Sequence, residues 1–329
     1  MDAPKVDNLN TRTGGRLSAS TVVNRVLRSR AFRNFVAAVE ARLPPLREWH
    51  RFQYQVHFAQ STSAAGLFSG VYENSKDALA AVPTGALVGH DHPEIAARLA
   101  SVTEHLRPSD YPVLFWFNSL LRDNYTVFDL GGALGISFYT FGKYLSYPQS
   151  CSWLVCEVPA VAIQGEQLAK RRNAQGLSFT TKFEDANDAD ILLAAGSLQF
   201  IEAPLPSLLS NLEQKPRHLL INRTPFCDTA SFVTLNNTGP TICPYRIRNL
   251  AVFIAGLENI GYALVDIWKT PDLSCYIPFH PERTVEAYRG MYFSLINAAA
   301  DAKLQSNPCY DHAPGPGTHT ATTTDNAHS

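Results

Sequence analysis

The 329-residue chain has no uninterrupted apolar run approaching the ~20 residues needed to cross a bilayer, and its polar stretch Met1 to Ser20 lacks the hydrophobic segment of a secretory signal. The expectation is a soluble, cytoplasmic protein with no stable membrane insertion. Charge of one sign is missing too. The 28 Lys and Arg residues stand against 29 Asp and Glu, for a formal charge of -1, which excludes a global bias toward nucleic acid. Cysteine is sparse and unpatterned: Cys151, Cys156, Cys227, Cys243, Cys275 and Cys309 show neither the paired spacing of a metal site nor a compact disulfide framework. Reduced thiols and no metal are therefore expected. What the chain does have is 45% apolar side chains, enough at this length for one sizeable core and a small accessory region.

The most informative stretch is Thr126-Val-Phe-Asp-Leu-Gly-Gly-Ala-Leu-Gly135. Val127 and Phe128 begin a buried strand, Gly131, Gly132 and Gly135 let the backbone turn sharply and approach a ligand, and Ile136 to Leu145 resume in a helical pattern. The next apolar run, Trp153 to Val155, ends near Glu157, where a doubly wound sheet places a carboxylate on the vicinal hydroxyls of a ribose. Two cofactor classes share this layout. Dinucleotide enzymes use Gly-x-Gly-x-x-Gly so that a pyrophosphate lies on the helix N-terminus, and the spacing here differs. The turn is similar instead to the Asp-x-Gly-x-Gly-x-Gly of class I S-adenosylmethionine enzymes, with Asp129, Gly131 and Gly135 in register and Ala133 in place of the middle glycine. Asp129 suits the ammonium of a methionine moiety and would repel a pyrophosphate.

From about Gly66 to Phe293 the chain also resembles a bacterial family of class I methyltransferase-fold proteins often found beside natural-product and surface-polysaccharide genes. The resemblance rests on Gly70-Val-Tyr-Glu-Asn-Ser75 with Ala78-Leu-Ala-Ala81, on Tyr111-Pro-Val-Leu-Phe-Trp116, and on the glycine turn followed by Cys156-Glu-Val-Pro-Ala160. It continues through Ala194-Ala-Gly-Ser-Leu-Gln-Phe200, Leu219-Leu-Ile-Asn-Arg-Thr-Pro225, Cys243-Pro-Tyr-Arg246 and Ser274-Cys-Tyr-Ile-Pro278. It implies a fold and a cofactor, S-adenosylmethionine, and leaves the reaction open. One branch of similar proteins closes the cofactor's own aminobutyryl chain into azetidine-2-carboxylic acid and releases methylthioadenosine.

Composition divides the chain into a disordered start over residues 1–18, a helical accessory or lid region over 19–110, a cofactor-binding catalytic domain over 111–300 and a disordered tail over 301–329. In the accessory region, Thr21 to Leu43 carries a helical apolar rhythm that Pro44 and Pro45 stop, with Arg25, Arg28, Arg30 and Arg33 expected on a solvated face or on one that meets a membrane surface or an acidic partner. Asn74 or Ser75 caps a helix through Ala81, and Pro93 opens another. The core strands are expected at Val127–Leu130, Trp153–Glu157, Ser178–Thr181, Ile191–Ala195, His218–Asn222, Ala263–Trp268 and Tyr288–Leu295. Helices are expected at Ile136–Leu145, Ala160–Asn173, Pro206–Leu212 and Asn249–Ile260. The expected fold is α/β and Rossmann-like, of the class I methyltransferase type, with a seven-stranded mostly parallel sheet, one reversed strand near the end and an N-terminal helical cap.

Function in such a sheet gathers at the carboxyl ends of the strands. Asp129, Gly131, Gly132, Ala133 and Gly135 would meet the methionine part, Glu157 the ribose, Phe183 and Glu184 the adenine, and Ser197 the sulfonium. Tyr72, Tyr139 and Tyr245 are candidates to steady a sulfonium by cation–π attraction, worth ~0.5–2 kcal/mol. Asn222-Arg-Thr-Pro225, Asn236-Asn237 and Cys243-Pro-Tyr-Arg246 are expected in loops on the acceptor side, where Arg223 or Arg246 would grip a carboxylate, and His280 with Glu282 is a candidate base. Neither an Asn-Pro-Pro-Tyr turn nor metal-binding acids follow the fourth strand; Gly196-Ser-Leu-Gln199 stands there. Three functions remain open: methyl transfer to a small molecule, self-cyclisation of the cofactor, and a non-catalytic binding module.

Overall fold

The computed structural model describes residues 42–62, 66–100, 104–121 and 125–296. The expected start at 1–18, the helix from Thr21, with its four arginines, up to Ala41, and the tail over 301–329 lie outside these residues. The two prolines expected to stop that helix open another, α1 (Pro44–Gln60), with Pro at its first positions, where a missing N–H costs nothing. Strand β1 (Leu67–Tyr72) follows, then α2 (Ser75–Ala80), α3 (Pro93–Ala100) and α4 (Tyr111–Leu120). The side chain of Asn74 accepts from the Asp77 N–H at 2.9 Å and so caps α2, as expected.

The core alternates β2 (Thr126–Leu130), α5 (Ile136–Phe141), β3 (Ser152–Cys156), α6 (Pro159–Arg172), β4 (Leu177–Thr180) and β5 (Ile191–Ala195). It continues through α7 (Leu205–Ser210) and β6 (His218–Thr224). After an excursion it resumes with α8 (Leu250–Glu258), β10 (Tyr262–Thr270) and β11 (Tyr288–Leu295). Helix α6 stops where Asn173 takes a left-handed φ of 49°, with Lys170, Arg171 and Arg172 at the negative end of its dipole. The sheet order is β10-β11-β6-β5-β2-β3-β4, parallel except for β11, which runs antiparallel to both β10 and β6. This is the expected fold, with the reversed strand the last in sequence.

Both faces of the sheet are buried, so its strands read as nearly continuous apolar runs. Alternate residues still part to opposite sides. Phe128, Leu192, Ala194, Leu219 and Ile221 pack with Leu205 and Leu209 of α7 and Phe253 and Leu257 of α8. Val127, Ile191, Leu193 and Leu220 pack with Val113 and Phe117 of α4 and Phe141 of α5.

The excursion between β6 and α8, expected as loops, is instead a second sheet. Strands β7 (Phe226–Cys227), β8 (Phe232–Asn237) and β9 (Ile242–Asn249) join β1 in the order β1-β8-β9-β7. Asn236, Asn237 and Cys243 through Arg246 thus lie in strands. The polar pairs concealed this, because their amides are consumed internally: Asn237 Nδ2 donates to the carbonyls of Phe58 at 2.6 Å and Ser61 at 3.0 Å, and Asn236 Nδ2 to that of Leu67 at 3.2 Å. Both faces of this sheet carry cores. Val233, Leu235 and Ile242 pack on Phe58 of α1 and Ala78 of α2, whereas Phe68, Tyr245 and Ile247 pack on Cys275, Ile277 and Tyr288.

Candidate active site

A cleft of about 1070 Å³ lies between the carboxyl ends of β2, β3, β5 and β6 on one side and the second sheet on the other. Asp129, Gly131, Gly132, Ala133, Glu157 and Ser197 line the first side. The glycine turn is shaped by its neighbours. Gly131 has φ 71°, and a Cβ there would lie 2.3 Å from Ser197 Cβ; at Gly132 it would lie 2.4 Å from Asp129 Oδ2. No side chain fits at either position, so backbone faces the cleft. Ala133 occupies the left-handed region at φ 54°, costing roughly 1 kcal/mol for a residue with a Cβ. Its N–H, held in that strained pose, donates to Glu157 Oε1 at 2.9 Å, and the Val158 N–H donates to Oε2 at 3.1 Å.

These two carboxylates differ in how they are met. Burial pushes the Glu157 carboxyl above the usual range, and the two backbone N–H groups oppose that shift. Asp129 is 1% exposed and accepts from Trp153 Nε1 at 3.2 Å through Oδ2, while its Oδ1 has no partner. Burial pushes this acid up to about 7, against the opposing pull of the Trp153 bond. Oδ1 is thus a buried acceptor without a donor, on a residue that lines the cleft beside the glycine turn. The Ser197 hydroxyl donates to the Leu130 carbonyl at 2.5 Å, tying the end of β2 to the turn after β5 and leaving only its lone pairs for a ligand.

The other expected residues divide. Arg223 and Tyr245 line the cleft; Gly135, which caps α5 in the left-handed region, does not. Phe183 turns inward and packs edge-on against Phe128 at 5.7 Å, and Glu184 is exposed on the one-turn helix Phe183–Ala186; Thr181 lines the cleft at that turn. Tyr139 lies under the Arg172 guanidinium, 4.5 Å from its ring centre, and Tyr72 lines a separate cavity of about 410 Å³ beside α1. Asn222 is fully buried away from the cleft, donating to the Ser109 carbonyl at 2.9 Å and accepting from Trp268 Nε1 at 3.2 Å. Arg246 is spent on the Phe200 carbonyl, the Ser75 hydroxyl and Glu202, and His280 faces Glu282 at 3.6 Å outside the cleft.

Sequence reasoning missed His90 and Tyr288. The Tyr245 and Tyr288 hydroxyls meet at 2.7 Å inside the cleft wall. His90 lines the same wall, with its Nδ1 3.5 Å from Cys243 Sγ and its ring edge-on to Phe200 at 4.4 Å. Burial, with Arg98 and His92 nearby, brings His90 down to about 4, so the imidazole is neutral at pH 7. Its signal was the Gly89-His-Asp-His92 run before α3, which gives no hint of the second sheet it faces. Among the described residues no group of His, Cys, Asp and Glu could hold a metal, and no helix is long and apolar enough to cross a membrane.

No protein-family model and no curated protein matches the chain. Among solved structures it is similar to the 1,6-didemethyltoxoflavin-N1-methyltransferase of Burkholderia thailandensis, crystallised with 1,6-didemethyltoxoflavin and S-adenosylhomocysteine. That match has 16% identity and a TM-score of 0.40 over 58% of this chain and 79% of that one. It is also similar to the CcbJ methyltransferase of Streptomyces caelestis, with 12% identity and a TM-score of 0.43 over 63% of this chain and 98% of that one. A SAM-dependent methyltransferase of Aquifex aeolicus matches with 14% identity and a TM-score of 0.41, over 62% and 99% of the two chains.

Proposed function

We propose that this protein is an S-adenosylmethionine-dependent enzyme that transfers a methyl group to a small molecule of specialised metabolism. The observation that carries the reading is Asp129 Oδ1, a buried acceptor with no donor, at the rim of a glycine turn that admits no Cβ. It would take the α-ammonium of the methionine chain. Glu157 keeps one lone-pair direction on each oxygen beyond its two backbone bonds, and these would accept from the two ribose hydroxyls. The cofactor supplies a methyl group already activated on a sulfonium, so the protein's task is chiefly alignment and exclusion of water. The cleft of about 1070 Å³ exceeds the roughly 300–1,000 Å³ of a typical single-ligand pocket, which leaves room for a second molecule beside Tyr245, Tyr288 and neutral His90. His90 would accept a proton from the incoming nucleophile.

One observation supports a second reading. The polar groups of the acceptor wall satisfy one another, Tyr245 with Tyr288 and His90 with Cys243, so a reaction with no second substrate also suits the cleft. That reaction is closure of the cofactor's aminobutyryl chain to azetidine-2-carboxylate. Incubation of the purified protein with S-adenosylmethionine alone, followed by mass spectrometry, separates the two. Methyl transfer predicts bound, unconsumed cofactor; equimolar methylthioadenosine and cyclic amino acid would replace it with cyclisation. Absence of binding would remove both.

A further inference from the structure

Arg223 ends β6 in a conformation that few residues adopt. Its φ is 51°, in the left-handed region, and its guanidinium crosses back over the end of β5: a Cβ on Gly196 would lie 3.4 Å from its Nε, and its Nη2 donates to the Ala195 carbonyl at 2.9 Å. Nη1 pairs with the buried Asp110 of the turn Pro108–Asp110. Asp110 is itself held from two further sides, by the Asn222 amide at 3.3 Å and the Arg107 N–H at 3.1 Å. A guanidinium has five N–H donors, and these two bonds use two of them. The side chain is only 15% exposed and lines the cleft, with N–H groups beyond these two bonds. The direction of the arm matters. It leans from β6 across the end of β5, and Asp129 lines the same cleft.

Asp129, with an unpartnered acceptor, and Arg223, with donors beyond its two bonds, thus line one cleft on either side of the Ser197 turn. A molecule carrying an ammonium and a carboxylate on one carbon satisfies both at once. We propose that Arg223 holds the α-carboxylate of the methionine chain opposite Asp129 on its α-ammonium, so that the two form a receptor for the amino-acid end of the cofactor. This rests on the cofactor reading above and moves Arg223 from the acceptor side to the cofactor side. Asp110 serves as a positioning residue, fixing the plane of the guanidinium so that its free edge faces the cleft.

The test is calorimetric binding of three ligands: S-adenosylhomocysteine, its decarboxylated analogue and methylthioadenosine, which lacks the amino-acid end. Arg223→Gln is expected to weaken S-adenosylhomocysteine binding about 10- to 100-fold and to leave the other two ligands within about threefold. Arg223→Lys, which keeps the charge and guards against misfolding, should recover part of the loss but not the wild-type preference for the carboxylate, because an ammonium lacks the planar fork. Equal weakening of all three ligands, or unchanged S-adenosylhomocysteine binding, would overturn the proposal. Failure of the wild-type protein to bind any of the three would overturn the cofactor reading itself.

Discussion

At the scale of single residues, the burial of Asp129 ties stability to pH. Its carboxyl ionises at about 7 in the fold against an ordinary 3.8, so the folded protein prefers the protonated acid. Its contribution is thus intact below pH 3.8 and lost as pH rises to about 7, a cost on the order of 4 kcal/mol at 1.36 kcal/mol per unit. Asp129→Asn removes the ionisation while keeping a polar group to bury. We expect the variant to gain on the order of 1–2 kcal/mol over wild type at pH 8, to lose that advantage near pH 4, and to bind no S-adenosylhomocysteine. Thermal melts of both proteins across that pH range check it; a difference independent of pH would remove burial as the cause. Asp129 and Glu157 were legible in the sequence because each closes an apolar run beside a glycine turn or a crossover, and local pattern places such residues at strand ends. Phe183 was not, since whether an aromatic beside a turn faces ligand or core depends on Phe128, 55 positions away along the chain, packing against it.

At the scale of elements, the core strands and helices lie within a residue or two of their expected bounds, because buried parallel strands separated by helices announce themselves by periodicity. The exception is the helix expected over Ile136–Leu145, which ends at Phe141. The second sheet was hidden for a physical reason. Strands β8 and β9 carry Asn236, Asn237 and Pro244, residues that favour turns in isolation, and the two amides become tolerable in a sheet only once β1 and α1 arrive to bond them. Asn237 joins three elements: its amide holds two carbonyls at the end of α1, and its Oδ1 accepts from the Gly239 N–H at 2.7 Å. Asn237→Ala leaves these groups unpaired in a site that is 2% exposed, and a loss of about 2–4 kcal/mol is expected. Urea unfolding should show it, and hydrogen exchange should quicken at the end of α1 while β2 to β6 keep their relative protection.

At the scale of the whole molecule, the cleft has two walls of different origin, one from the seven-stranded sheet and one from the four-stranded sheet. A ligand that touches both should couple them. S-adenosylhomocysteine at a hundredfold excess over its dissociation constant is expected to add about 2.7 kcal/mol to stability, with slowed hydrogen exchange in β9 as well as around the glycine turn. Protection confined to the glycine turn would show that the second sheet plays no part in cofactor binding.

The pairing of β1 with β8 also has a consequence for how the protein is made. Ser69 and Leu235 are partners across the ladder, so β1 leaves the ribosome with its mate still to be translated. At 5–20 residues per second the wait is roughly 10–30 s, long compared with the microseconds in which a hairpin closes. Until then β1 lacks its ladder partner, and the second wall of the cleft is incomplete. The nascent chain can complete its glycine turn well before it has a second wall to close against it, so the enclosed cleft is among the last features this chain acquires during synthesis.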